Sequence, residues 1–293
     1  MSPELRTVVV TDTTAYLPDE ICAQHDIRRV SLYVSLDGEQ RPESEIAPSE
    51  YAEFYERLRR SAEGATTSQP SVGDFTSVYE PLLAEGAEIV SVHISAGISG
   101  TCESAQQARQ RLIDDGQGGE RIHVCDSRTT AGGQGLVVLA AAVAASAGAD
   151  GAATLAAAER CRTELAIWFA LDTLEYLRKG GRIGGAQAWL GSALQIKPVL
   201  TFLEEIVPVE RVRTRRRAFE RLVEHARQRH ADGADGWVVQ HIQDHDAARR
   251  MVEQCREIFA SEPAFVSEVG PVLGAHAGPG MLGIGAVPAS NLR

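Results

Sequence analysis

The sequence predicts an α/β protein of two domains. Three observations predict it. The chain has 293 residues, about twice the roughly 150 of a typical domain. Strand-like apolar runs alternate with helix-period runs almost throughout, the order that gives a mostly parallel sheet covered by helices. A Gly/Ala/Asp cluster at 148–152 then separates two halves that each carry this alternation. The expected domains are 1–160, with a mostly parallel sheet and helices on both faces, and 161–293, a second α/β domain. A ligand is expected in the crevice between them.

Thr7 to Thr11 reads as a buried strand, followed by a short helical stretch around Pro18 to His25. Over Ser49–Arg60, Tyr51, Phe54, Tyr55 and Leu58 fall at i, i+3, i+4 and i+7 and form one apolar stripe of a helix. Ser71 and Asp74 have capping-box spacing and open a helix carrying Phe75, Tyr79 and Leu83. A strand over Glu88–Ile94, a helix over Gly100–Asp114, a strand over Arg121–Asp126 and a helix over Gly133–Ala147 complete the first half. A helix from Ala153 to Arg162 bridges to the second. There the pattern gives a strand at Ala166–Leu171 and helices over Thr173–Lys179 and Gly185–Leu194. A hairpin follows over Pro198–Arg213 with its turn at Glu204-Glu205, then a helix to His230. The strand Trp237–His241, a helix over Asp246–Ala260 and a last strand near Val272–Ala275 end the reading.

Composition excludes several classes of function. Hydrophobic residues make up 44% and charged residues 24%, the proportions of a folded protein and not of a disordered one. The 29 Lys and Arg against 40 Asp and Glu leave a net charge of −11, which argues against a dedicated nucleic-acid binder. Cys22, Cys102, Cys125, Cys161 and Cys255 are an odd number without a CxxC, as expected of free thiols in a reducing cytosol. The start goes directly into a strand, with no signal-peptide pattern. The most apolar stretch, Leu136–Ala149, is about 14 residues, short of the roughly 20 of a membrane span. A cytoplasmic protein is expected.

Two motifs fail on context. Gly278-Pro-Gly280-Met-Leu-Gly283 matches the dinucleotide pattern GxGxxG, but too little chain follows for the helix and second strand it serves. His241 and His245 have HxxxH spacing, yet a strand end and a helix start would not turn both toward one metal, so no metal site is expected.

Other segments carry weight. Thr66-Thr67-Ser68-Gln69-Pro70-Ser71 places four hydroxyls around a turn before a helix, suited to capping or to a ligand. In Ser95-Ala-Gly97-Ile-Ser99-Gly100-Thr101 a strand ends, a glycine turn follows and a helix begins. Free backbone N–H groups and the positive helix end make such a place an anion site, with Ser95 and Ser99 as added hydroxyl donors. The same segment is one residue from the hydrolase elbow GxSxG, and Ser99, Asp172 and His276 follow the hydrolase order. A serine hydrolase with Ser99 as nucleophile is therefore the alternative. Gly180-Gly181 ends a helix and presents Arg182 at a rim. His276 precedes a Gly-Pro-Gly loop, a suitable place for a ligand contact. Arg211, Arg213, Arg215, Arg216, Arg217 and Arg221 against Glu220 give a local charge of about +5, either a solvated face or a docking strip for phosphate or an anionic membrane.

In this order, VVTDTTAYLP (9–18), TSQPSVGDF (67–75), SVHISAGISGTCESAQQA (91–108), VCDSRTTAGGQG (124–135), LDTLEYLRKGGRIGGAQAWLGSALQIKPVL (171–200) and GAHAGPGMLG (274–283) resemble the DegV family of bacterial fatty-acid-binding proteins. The resemblance covers about residues 7 to 286. Ala96 stands where a second serine is common, Cys102 where tyrosine is usual and Ala277 where threonine is common. The resemblance implies two α/β domains holding one long-chain fatty acid, its tail in a tunnel and its carboxylate at the domain junction. By position, Thr67 and Ser99 would hydrogen-bond the carboxylate and His276 would be a neighbouring contact. Some members present the acid to a fatty acid kinase catalytic subunit, which makes an acyl phosphate for phospholipid synthesis. Arg182 and Arg213 match positions facing that kinase or the new phosphate. The protein is thus expected to be a carrier with no catalytic residue of its own and no cofactor beyond its bound lipid. Transient contact with a membrane surface fits the arginine strip.

Overall fold

The protein is described by a computed structural model covering residues 6–190 and 196–293. The chain opens with strand β1 (Thr7–Asp12) and helix α1 (Asp19–Gln24), then three short strands, β2 (Arg28–Val30), β3 (Tyr33–Leu36) and β4 (Glu39–Pro42). Helix α2 (Tyr51–Arg60) buries Tyr51, Phe54, Tyr55 and Leu58, the stripe that its spacing predicts. Strand β5 (Thr66–Ser68) leads into helix α3 (Val72–Ala84), and the capping box is present. Ser71 Oγ accepts from the Asp74 N–H while the Asp74 carboxylate accepts from the Ser71 N–H. Strand β6 (Glu88–His93), helix α4 (Thr101–Asp114), strand β7 (Ile122–Asp126) and helices α5 (Ala131–Ser146) and α6 (Gly151–Glu164) follow.

The first sheet has the order β2-β1-β6-β7 and is parallel throughout. Both of its faces are apolar because each is covered. Val8 and Val10 pack with Phe75 and Tyr79 of α3 and Leu112 of α4. Val9, one residue out of phase, joins Val90 and Val92 against Leu136 and Val137 of α5. This is the helix-covered parallel sheet that the alternation predicts. Strands β4-β3-β5 form a separate antiparallel sheet.

The second half begins with strand β8 (Ala166–Ala170) and helix α7 (Glu175–Lys179). The hairpin of β9 (Lys197–Leu203) and β10 (Glu205–Val212) turns at Glu204, whose φ of 65° is left-handed. Helix α8 (Arg215–Ala231), strand β11 (Gly236–His241), helix α9 (His245–Phe259), strand β12 (Phe265–Glu268), helix α10 (Pro271–Ala277) and strand β13 (Leu282–Val287) complete the chain. The six-stranded sheet has the order β10-β9-β8-β13-β11-β12, and only β11 and β12 pair in parallel. Helices α8 and α9 cover its outer face, where Leu282, Ile284 and Ala286 meet Leu222 and Met251.

Three expectations are corrected. Val272–Ala275 is helical, because Pro271 sits at the first helical position with its φ already set, and the last strand is the glycine-interrupted β13. The helix expected over Asp246–Ala260 begins at His245 and ends at Phe259, with Asp244 as its cap accepting from the Ala247 N–H at 3.2 Å. The helix expected over Gly185–Leu194 is a 3-10 turn over Gly184–Trp189, and residues 191–194 lie outside the described residues.

Two features place the site. Helix α5 is buried at every position from Ala131 to Ala142 and packs on β1 and β6 of one sheet and β11 and β13 of the other. Apolar side chains on all its faces make this position possible. Asp12 is the second anchor. Its carboxylate accepts from Thr14 N–H at 3.0 Å, Ile94 N–H at 3.0 Å and the His93 Nδ1 side at 3.1 Å, fixing where β6 releases the chain into the 94–100 turn. His93 Nε2 reaches Ser91 Oγ at 2.6 Å, so an Asp–His–Ser chain exists there, but all three side chains are sealed in the core. Among the described residues, no helix is long and apolar enough to cross a membrane.

Candidate functional site

The inner face of β13 lacks side chains at two successive inward positions, Gly283 and Gly285. Gly283 pairs with Gln240 and Phe169, and Gly285 pairs with Val238 and Ile167. A row of missing side chains in mid-sheet keeps the first turn of α5, at Thr130–Gly132, from packing solidly onto the strands. The space left is a cavity of about 360 Å³, within the range of small-molecule sites, with a mostly apolar wall. It crosses the sheet from Ile206 of β10 and Phe202 of β9, under Leu273 of α10, to Val238 and Gln240 of β11.

The polar end lies at the β10 edge. Thr67 comes from β5, Ser99 from the turn before α4, His276 from the last turn of α10, and Arg182 from the loop after Gly180-Gly181. All four line the cavity. Thr67 Oγ1 and His276 Nε2 are 2.8 Å apart. His276 Nδ1 is buried without a partner. Burial, with the Arg182 guanidinium alongside, pushes His276 down to about 4, so its ring is neutral at physiological pH. A neutral ring that donates from Nε2 to Thr67 Oγ1 leaves the Thr67 hydroxyl proton free to point at a ligand oxygen. Ser99 Oγ lies 2.8 Å from Thr101 Oγ1 and accepts from the Thr101 N–H, a second hydroxyl held at a helix start. Gln69 ties these parts together. Its amide donates to Ser104 Oγ of α4 at 3.0 Å and lies against Gly100, where a Cβ would collide with it.

Arg182 donates to Gly180 O at 2.8 Å and Ile98 O at 3.4 Å, and no carboxylate pairs with it among the described residues. Its charge is therefore available at the mouth. The mouth is bounded by a clasp between the halves. Ser95 Oγ donates to Glu204 O at the hairpin tip at 2.7 Å, and Glu204 N–H donates to Arg128 O at 3.2 Å. Gly97 lies so close to Glu204 O that any Cβ would clash. Ser95 is thus spent on the clasp, and of the two serines Ser99 faces the cavity.

Of the residues expected at the site, Thr67, Ser99, His276 and Arg182 are brought together and Arg213 is not. Arg213 is exposed beyond the end of β10, seven residues from Ile206, or about 23 Å along an extended strand. The hydrolase constellation is also not assembled. Asp172 is bound to Lys197 at 3.1 Å and to Arg215, and His276 Nδ1 receives no carboxylate. The arginine strip is largely neutralised, by acids on its own helix and by Glu210 and Asp172 from elsewhere in the chain. Arg216 and Arg217 pair with Glu220, Arg221 with Glu210 and Glu224, and Arg215 with Asp172. Among the described residues, no cluster of three His, Cys, Asp or Glu is arranged to hold a metal. Sequence reasoning missed Gly283, Gly285 and Gln240. Their signal was a strand with glycine at every second position, opposite a strand with one inward polar residue.

Comparison with known proteins follows the same lines. A profile of the family described as "Uncharacterised protein, DegV family" matches residues 6–289. The DegV domain-containing protein SCO2569 of Streptomyces coelicolor is 38% identical over 282 residues, covering 94% of this chain and 96% of that protein. A solved fatty-acid-binding DegV family protein from Thermus thermophilus superposes with a TM-score of 0.86 at 34% identity, over 97% of this chain and all of that one. DegV of Bacillus subtilis, solved as a fatty acid binding protein, gives 0.83 at 32% identity over 97% and 99% of the two chains.

Proposed function

The chain belongs to the DegV family, and on that premise we propose that it is a non-catalytic carrier of one long-chain fatty acid. The carboxylate sits among Thr67, Ser99 and His276, and the tail fills the cavity toward β11. The observation that carries this reading is an apolar cavity whose polar end holds two hydroxyl donors at its mouth. A tail of about 15 methylenes contributes a gross transfer term near 12 kcal/mol at ~0.8 kcal/mol each, so burial of the chain supplies most of the affinity. The head needs only enough donors to satisfy its oxygens.

Neutral donors also suit presentation of the acid to a fatty acid kinase catalytic subunit that phosphorylates the carboxylate with ATP. A tight arginine fork on the carboxylate would occupy the oxygens that accept the phosphoryl group. Arg182, at the rim and tied to backbone carbonyls, would instead meet the phosphate as it forms, a role its unpaired charge supports among the described residues.

Mass spectrometry of the purified protein, native and then after denaturation and organic extraction, tests the reading. One released long-chain acid per chain is expected. A protein that carries none, and takes up neither hexadecanoic nor octadecenoic acid when offered them, would overturn it. Thr67→Ala and Ser99→Ala are each expected to weaken retention about tenfold with the melting midpoint little changed, the worth of one charge-assisted hydrogen bond. Equal lipid occupancy in both variants would remove these hydroxyls from the head site. Arg182→Ala should keep the lipid and lower acyl-phosphate formation with added kinase and ATP; an unaltered rate would take Arg182 off that surface.

A further inference from the structure

The polar end of the cavity holds one more donor between the two hydroxyls. Gln69 lines the cavity together with Thr67 and Ser99. Its place follows from the sequence. Pro70 favours extended backbone at the residue before it, so Gln69 prolongs the run of β5 and falls on the same side as Thr67, two residues back. The side chain then crosses to the start of α4, where Nε2 donates to Ser104 Oγ at 3.0 Å. The amide rests on Gly100, the neighbour of Ser99. A Cβ there would stand within 2.7 Å of Oε1, Cδ and Nε2 alike, so only glycine leaves the amide this room. Gln69 thus spans the gap from the strand that carries Thr67 to the turn that carries Ser99.

A primary amide carries two N–H groups, and Ser104 takes one of them. If the amide is assigned the other way round, its oxygen faces Ser104 and both N–H groups are free. In either case at least one donor is unspent, with no protein acceptor among the described residues. A carboxylate in a mostly apolar cavity presents about four lone-pair sites, and leaving them empty costs free energy. Thr67 and Ser99 answer two. His276 turns its Nε2 side to Thr67, and Arg182 is held at the rim by Gly180 O and Ile98 O. We propose that the Gln69 amide is a third, uncharged donor to the head of the ligand. An N–H bond to an ionised oxygen is about twice as strong as one to a neutral oxygen. Gln69 therefore makes the site select a free carboxylate over an alcohol of the same chain.

This inference rests on the fatty-acid reading above, and the experiment separates the two. Delipidated wild type, Gln69→Met and Gln69→Glu are titrated at pH 8 with hexadecanoic acid and, separately, with hexadecan-1-ol. Bound lipid is read by native mass spectrometry. Methionine matches the length of glutamine and removes both N–H groups. Glutamate keeps an oxygen to accept from Ser104 but sets a negative charge beside that of the ligand. A donor to the carboxylate predicts acid affinity about tenfold lower in Gln69→Met and lower again in Gln69→Glu, with alcohol affinity falling much less. A residue that only braces the turn predicts the reverse order, since glutamate keeps the Ser104 bond and methionine loses it. Gln69→Glu holding the acid as well as Gln69→Met, or both lipids weakened equally, overturns the contact and leaves the fatty-acid reading standing. A wild type that binds neither lipid overturns the fatty-acid reading and the contact with it.

Discussion

Replacing Gly285 with leucine is expected to abolish lipid retention while the protein stays folded. Gly285 lies in strand backbone with no positive φ, and a Cβ there stands 3.4 Å from Val238 Cγ1 and 3.6 Å from Ile167, ordinary contact distances. The four added carbons can only extend into the cavity. They displace about four methylenes of a tail, near 3 kcal/mol at ~0.8 kcal/mol each, or roughly a hundredfold in affinity. The remaining chain also loses its path to β11, which makes that figure a lower bound. Filling an apolar void buries more surface, so the melting midpoint should hold or rise. Lipid extraction and a thermal melt on the same preparation check both halves. A variant that purifies with its full complement of lipid would show that the tail lies elsewhere.

The second large effect concerns stability and pH. Glu43 is 4% exposed. Its Oε1 accepts from Val272 N–H at 2.8 Å and Tyr16 OH at 2.7 Å, while Oε2 is buried without a partner. Burial pushes this carboxyl from its ordinary 4.5 up to about 7, against the hydrogen bonds from Val272 and Tyr16. The folded state therefore holds its proton more tightly than the unfolded chain. The resulting stability is fully present below pH 4.5 and is lost as pH rises through 7, about 3 kcal/mol in all at ~1.4 kcal/mol per unit. Glu43→Gln cannot ionise. Its advantage over the wild type in urea unfolding should grow by about 3 kcal/mol between pH 4.5 and pH 8. His225 and His276, both held down to about 4, have the opposite sign and gain stability as pH rises from 4 to 6.5. They are common to both proteins and cancel in the difference. A difference independent of pH would mean that Glu43 ionises freely when folded. The same carboxylate receives the N–H of Val272 in α10, the helix that carries His276, so the variant also tests how firmly that helix is held.

Much of this molecule is legible from its chain because its long elements obey one period each. The stripe in α2, the capping box of α3 and the apolar runs of β1, β6 and β11 are local facts that tertiary structure did not need to override. What escaped were segments whose conformation depends on partners. Strands β2 to β5 are three or four residues each, too short to show alternation. Val272–Ala275 has strand composition but follows Pro271, and it becomes α10. At the site, Thr67, Ser99, Arg182 and His276 stood in turns whose glycines and hydroxyls mark them, and the fold gathers all four. Gln240 and the glycines of β13 carry no motif, since their meaning is a space and a space belongs to several elements at once. Arg213 stands apart from the other four for the same reason. Its neighbours in sequence give it charge, and only the geometry of the hairpin shows that this charge lies far from the mouth.

Helix α5 has a consequence for how a bound molecule leaves. A single buried helix serves as core for both sheets, so parting the halves would strip its apolar surface on two sides. Unloading by a hinge would therefore expose much of the apolar surface that holds the two halves together. The rim, closed by the single Ser95–Glu204 side-chain hydrogen bond, is the route that leaves this helix packed on both sheets. On the proposed function, a bound acid would leave through that rim without the halves parting.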